Sequence, residues 1–237
     1  MSTQVELRNH GRFQRQSLSE RGDFIRGLYL RPLNAVSYRD LEEIMAERGV
    51  AVDHATLNRW VVKYSPLIAC QAKCRKSTTS SSWRMDETYI QVKGSWAYFY
   101  RAVDKFGKTL DFMLSEHRDE AAANVFFARA IENNGWPKKV VIDKSGSNLA
   151  GLQNINWLLL LQEWFWLIEI LQVKYLNNVI EQDYRFIKKL TCPMKGFKSF
   201  RSASATLAGI EVVHMIRKQQ FSTNGQSAFQ QFSALAA

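Results

Sequence analysis

Cysteine is scarce in this chain: Cys70, Cys74 and Cys192 are the only three among 237 residues. So sparse and odd a set excludes a disulfide framework and fits a reduced, cytoplasmic setting. Cys70 and Cys74 have no second Cys or His pair at zinc spacing and are read as incidental. Internal repeats and low-complexity segments are absent. No apolar run is long enough to cross a membrane. The strongest candidate, Ile155–Leu171, falls short of the roughly 20 residues required and is interrupted by Gln162, Glu163 and Glu169, so it is read as buried helix and strand. The polar N-terminus lacks the apolar core of a signal peptide. Acid is also in deficit: 22 Asp and Glu stand against 32 Lys and Arg, a formal charge of +10. That balance favours an anionic partner, nucleic acid before an acidic membrane. Core material is plentiful, with 46% hydrophobic and 12% aromatic residues, so a disordered tail is excluded. The length suits one mid-sized domain and a small one.

Residues 1–30 are basic and at first weakly patterned, with a helix expected from Leu18 to Leu30 that Pro32 and Asn34 end. Ser37 then reads as the N-cap of SYRDLEEIMAERG, with Leu41, Ile44 and Met45 at helical spacing and Gly49 as the stop. Asp53 caps a second helix, DHATLNRWVVKY, with Ala55, Leu57, Trp60 and Val61 available for packing. Two short helices joined by a turn carrying glycine form a helix-turn-helix pattern, whose second helix enters the major groove. The residues it offers to DNA are His54, Thr56, Asn58, Arg59 and Lys63. The alternative is an ordinary helical hairpin. Residues 1–64 are therefore assigned to a helical DNA-binding domain, with the motif at about 37–63. Residues 65–82, with Ser65-Pro66, basic Lys73, Arg75 and Lys76 and the run STTSSS, read as a linker. Its basic cluster either tracks phosphates or is solvated.

From Trp83 the pattern becomes that of strands. WRMDETYIQV, SWAYFYRAVD and KTLDFMLSE form an antiparallel meander with turns at Lys93-Gly94 and Lys105-Phe106-Gly107. DEAAANVFFARAIENN is an amphipathic helix, and KKVVID a short strand buried on both faces and parallel to a neighbour. A further strand is expected near Ile168–Val173, then the helix NNVIEQDYRFIKKL and a last helix in SASATLAGIEVVHMIRKQQ. The order describes a mixed α/β sheet with helices against it, spanning residues 83–218 and followed by a polar tail, 219–237.

Three acids are oddly placed in this scheme. Asp86 sits in the first strand, Asp143 ends the fourth and Glu181 lies on the following helix. A desolvated carboxylate needs a partner, and three hard oxygen ligands suit Mg²⁺ or Mn²⁺. Two such ions about 4 Å apart serve in-line phosphoryl displacement. Glu87 is expected on the opposite face from Asp86, because strand side chains alternate. Lys188, two turns after Glu181, and Arg185 at i+4 share its helix face and can hold a DNA phosphate. The basic run from Arg185 to Arg201, interleaved with Phe186, Phe197 and Phe200, is alternatively a solvated helix face and a basic loop.

The blocks WRMDETYIQVKGSWAYFYRAVDKFGKTLDF, VVIDKSGSN, KYLNNVIEQDYRFIKK and GFKSFRSASATLAGIEVVHMIRK resemble the DDE transposases of the insertion-sequence-six family. SYRDLEEIMAERGVAVDHATLNRWV resembles that family's N-terminal domain. The resemblance covers about Ser37 to Lys218 and implies a ribonuclease-H-like core. It implies Asp86, Asp143 and Glu181 as the metal-binding acids, with Lys188 as the basic residue that follows. It further implies binding of double-stranded DNA at terminal inverted repeats, 3′-end cleavage, transfer to target DNA with cointegrates as product, and a homo-oligomer spanning two ends. Where many members carry His-Arg before the Lys-Tyr, this chain has Ile170-Leu171. The rival expectations are a transposase-derived repressor that binds without catalysis and a metal-dependent nuclease that cuts without joining.

Overall fold

The computed structural model describes residues 25–29, 36–143, 146–163, 166–173, 178–222 and 225–236. Of the helix expected at Leu18–Leu30, residues 25–29 are helical and the rest lies outside the described residues. Helix α1 (Tyr38–Ala46) starts at Ser37, whose side chain and that of Asp40 cap each other's backbone N–H groups. Helix α2 (His54–Arg75) starts at Asp53, which accepts from the Thr56 N–H. Leu41, Met45 and Leu57 are buried together between them, with Val50, Val52 and Trp60 packed around.

The expected linker is largely helix. Helix α2 continues through Ser65 and Pro66 to Arg75, because Ser65, Ile68, Ala69 and Ala72 are buried along one side and that burial outweighs the local signal for a break. Its basic cluster serves the fold. Lys73 binds the fully buried carboxylate of Asp111, Lys76 donates to the Leu110 carbonyl, and Arg75 donates to the Ala234 carbonyl at 2.8 Å. Burial lowers the Lys76 pKa to about 8.

Strands β1 (Ser82–Val92), β2 (Ser95–Asp104) and β3 (Thr109–Ser115) form the expected meander. Lys93 and Gly94 turn the first hairpin with φ of 52° and 80°, the left-handed pair that matches strand twist in a two-residue loop. Helix α3 (Glu120–Asn134) is capped by Asp119 and leads into β4 (Lys139–Ile142). Helix α4 (Gly146–Leu161), β5 (Glu169–Gln172), α5 (Asn178–Thr191) and α6 (Phe200–Arg217) follow. The sheet order is β3-β2-β1-β4-β5, with β4 parallel to both β1 and β5. Three antiparallel strands extended by two parallel ones, with helices on both faces, make the ribonuclease-H-like α/β fold.

Alternation along the strands divides the core in two. Trp83, Met85, Tyr100 and Ala102 face α3 and α4, meeting Phe126, Phe127, Leu152 and Ile155. The two helices approach so closely that a Cβ at Gly151 would lie 2.9 Å from that of Ala123. Ile90, Val92, Phe99 and Val103 face α5, α6 and the second half of α2. Helix α4 is less buried than its composition suggests. Leu152, Ile155 and Leu159 are covered, while Trp157, Leu158, Leu160 and Leu161 are exposed. The expected polar tail instead ends in helix α7 (Ala228–Leu235), which buries Phe232 and Leu235 in the second core. Among the described residues, no helix is long and apolar enough to cross a membrane.

Candidate active site

Strand β1 outruns β4. Their last pairing is Arg84 with Val141, so Asp86 and Glu87 lie where the sheet opens and where the chain leaves β4 at Asp143. One carboxylate oxygen from each of Asp86, Glu87 and Asp143 lies within 4.8 Å of the others. Glu87 therefore joins the cluster, against the expectation that alternation would separate it from Asp86. The two side chains do start on opposite faces, but beyond the end of β4 both can turn around the open edge.

The three acids are not equivalent. Glu87 is buried and committed: Arg118 donates to its Oε1 at 2.5 Å and Asn148 to its Oε2 at 2.7 Å. Asp86 accepts from the Glu87 backbone N–H at 2.8 Å. Burial pushes its pKa up to about 7; the Glu87 N–H opposes that shift, and the carboxylates of Glu87, Asp143 and Glu181 add to it. Hard oxygen donors this crowded fit a divalent cation, whose charge offsets the repulsion between them.

Glu181 lies outside that group of three. It is exposed in the first turn of α5, near enough for its charge to act on Asp86. Arg185 and Lys188 follow it along the helix and are exposed too. In the N-terminal helices, His54 Nδ1 lies 2.9 Å from Glu42 Oε2, Thr56 donates to Asp53 at 2.7 Å and Arg59 donates to Thr56 at 2.7 Å. Lys63 sits 4.9 Å over the Tyr64 ring, while Asn58 is half-buried. His54, Arg59 and Lys63 remain exposed, far along the chain from the acids.

Behind the acids lies a charge network that the sequence did not suggest. Arg101, fully buried and paired across the strands with Asp86, donates to Glu211 Oε1 at 2.6 Å and Oε2 at 3.2 Å. It also donates to Asp183 at 2.7 Å and Thr109 at 2.9 Å. Asp183 also binds Lys218, and His214 Nε2 lies 3.0 Å away. Burial would raise the Asp183 pKa, but the His214 bond and the Arg101 and Lys218 charges outweigh it and hold the carboxyl ionised. One signal was available: Arg101, Asp111 and Glu211 are charges inside apolar runs, as Asp86 is.

The family model described as the DDE domain, of IS240-type transposases, matches residues 80–220. The transposase for the insertion sequence-like element IS431mec of Staphylococcus aureus is 39% identical over 193 residues, covering 81% of this chain and 82% of that protein. The transposase for insertion sequence element IS257 in transposon Tn4003, also of Staphylococcus aureus, matches to the same extent. Among solved structures, the chain is similar to the HTLV-2 integrase catalytic core in complex with magnesium. The dimeric form gives a TM-score of 0.41 at 16% identity, over 59% of this chain and 88% of that one. The chain belongs to the insertion-sequence-six family of DDE transposases.

Proposed function

We propose that this transposase binds the terminal inverted repeats of its element as double-stranded DNA, cleaves their 3′ ends and joins them to target DNA, giving cointegrates by a replicative route. The observation that carries this is the convergence of Asp86 and Asp143 at the open end of the sheet, with Glu181 close enough to affect Asp86. These three residues would hold Mg²⁺ or Mn²⁺, two ions in all. When bound, such ions would supply activation of the attacking oxygen and stabilisation of the leaving one. In cleavage, a P–O bond forms to water as the P–O3′ bond at the element end breaks, leaving a 3′-hydroxyl. In transfer, that hydroxyl forms a P–O bond to a target phosphate while one target P–O3′ bond breaks. Arg185 and Lys188 hold phosphates beside the acids. Helix α2 reads the repeat through His54, Thr56, Asn58, Arg59 and Lys63, and a homo-oligomer brings two ends together.

The test is a strand-transfer assay with Mg²⁺ and a labelled duplex carrying the element's own terminal repeat. Joined products establish the reaction. Sequence-specific binding without cleavage would favour a repressor, and cleavage without joining a nuclease. Arg59→Ala should weaken repeat binding and lower the slope of log affinity against log salt by about 1, the loss of one phosphate contact. An unchanged slope moves that contact elsewhere.

A pH dependence follows from Asp86. With its pKa raised to about 7, the folded chain keeps a proton that the unfolded chain releases near pH 4. Without metal, the contribution of this group to stability is therefore greatest at low pH and falls as pH rises through about 7. Metal binding needs the ionised carboxylate. Mg²⁺ should accordingly raise the thermal midpoint more at pH 8 than at pH 6, and Asp86→Asn should flatten the difference. An equal metal effect at both pH values would remove Asp86 from the metal site.

A further inference from the structure

One helical turn past Glu181, Tyr184 is 3% exposed. Its ring packs against the sheet with Ile180 and Ile187. Its hydroxyl donates to the main-chain carbonyl of Asp86 at 2.6 Å, with the Phe99 carbonyl 3.4 Å away. The preceding residue, Asp183, is bound by Arg101, the residue facing Asp86 across β1 and β2. It is also bound by Lys218 from the end of α6. Two successive residues of α5 are thus tied to the same rung of the sheet, one to Asp86 itself and one to its cross-strand partner.

Apolar contact alone does not fix where a helix sits along a sheet, because hydrophobic attraction is non-directional. A hydrogen bond at a set distance does. Glu181 is exposed, so its distance from Asp86 depends on how its helix is held.

We propose that Tyr184, seconded by Asp183, is a positioning residue that sets Glu181 against Asp86, so that the metal affinity of the site depends on a hydroxyl that supplies no ligand. The proposal rests on Asp86, Asp143 and Glu181 being the metal-binding acids. It assigns Tyr184 an action through Glu181.

Tyr184→Phe keeps the ring and removes the hydroxyl. Mn²⁺ binding to the full chain without DNA, followed by electron paramagnetic resonance, reads the site without turnover. Tyr184→Phe should weaken Mn²⁺ binding roughly tenfold, the usual scale for a residue supporting a ligand. The Mg²⁺ concentration giving half-maximal strand transfer should rise in parallel, while repeat binding changes by less than about twofold, as expected of a distant site. In a Glu181→Gln background the same substitution should add nothing to the loss of Mn²⁺ affinity. Unchanged Mn²⁺ affinity in folded Tyr184→Phe overturns the proposal, as does a loss that persists in full in the Glu181→Gln background. If Tyr184→Phe does not fold, Asp183→Asn carries the same cycle with the same expected and overturning results. Glu181→Gln with wild-type Mn²⁺ affinity would remove the metal-site assignment and this proposal together. A weakened Glu181→Gln beside an unaffected Tyr184→Phe would remove the positioning role alone.

Discussion

Asp86→Asn should bind terminal-repeat DNA much as the wild type does and join none of it. Asp143→Asn and Glu181→Gln should behave alike. Removing one ligand costs the charge stabilisation of a transferring phosphoryl group, several kcal/mol, or about a thousandfold or more in rate. Binding is spared because the residues assigned to repeat recognition lie on α2 and include none of the three acids. For Asp86 a second effect runs the other way. Its ionised form is disfavoured by burial and by three neighbouring carboxylates, so without metal Asp86→Asn should be at least as stable as the wild type at pH 8. Retained strand transfer in any one variant would strike that residue from the site. A general loss of stability would instead assign the acid to the fold.

Arg101→Met should produce the largest loss of stability of any change near the site. Arg101 and Glu211 are both fully buried, and the Asp183 side chain is 13% exposed. Removing the guanidinium takes a partner from two carboxylates, of which Asp183 keeps Lys218 and His214. Breaking a buried pair from one side costs about 3–5 kcal/mol. Urea unfolding measures it, and the pH dependence has a definite sign. Without the guanidinium, Asp183 loses one of the charges that hold its pKa down, so the deficit against wild type should be smaller at about pH 3 than at about pH 7. A small deficit, equal at both pH values, would mean that water reaches the network and that its charges are screened. Arg101→Met/Glu211→Gln should recover part of the loss, because one of the stranded charges is then gone.

Much of this architecture was legible in the residues. The alternation in SWRMDETYIQV and SWAYFYRAVD, the Lys93-Gly94 turn and the capping residues Ser37, Asp53 and Asp119 each report a local preference that the fold keeps. Asp86 and Asp143 stood out because a carboxylate in an apolar strand is costly. The same criterion, applied evenly, would also have selected Arg101, Asp111 and Glu211, which satisfy one another or a lysine in the core. A buried charge announces that it has a partner, not whether that partner is another side chain or a cation. The nearness of Glu87 to Asp86 was hidden for a different reason. Strand periodicity tells which face a side chain leaves from, but not that the neighbouring strand stops two residues earlier. The continuation of α2 past Ser65-Pro66 depended on burial against the sheet and α6, which lies outside any local window. Tyr184 carried no signal at all, because its partner is a backbone carbonyl 98 residues away in the chain.

Helix α2 has a mechanical consequence. At about 1.5 Å per residue, its 22 residues make a shaft roughly 33 Å long. One end carries the side chains assigned to reading the repeat, and the other is keyed to the core through Lys73 and Asp111. A tether between the two would let the recognised sequence and the cut site drift apart. A shaft couples them in both distance and phase. Each residue added within it would advance the reading face by about 1.5 Å and rotate it by about 100°, so if α2 reads the repeat as proposed, the spacing between the repeat and the scissile phosphate would be a dimension of the protein rather than a preference of the DNA.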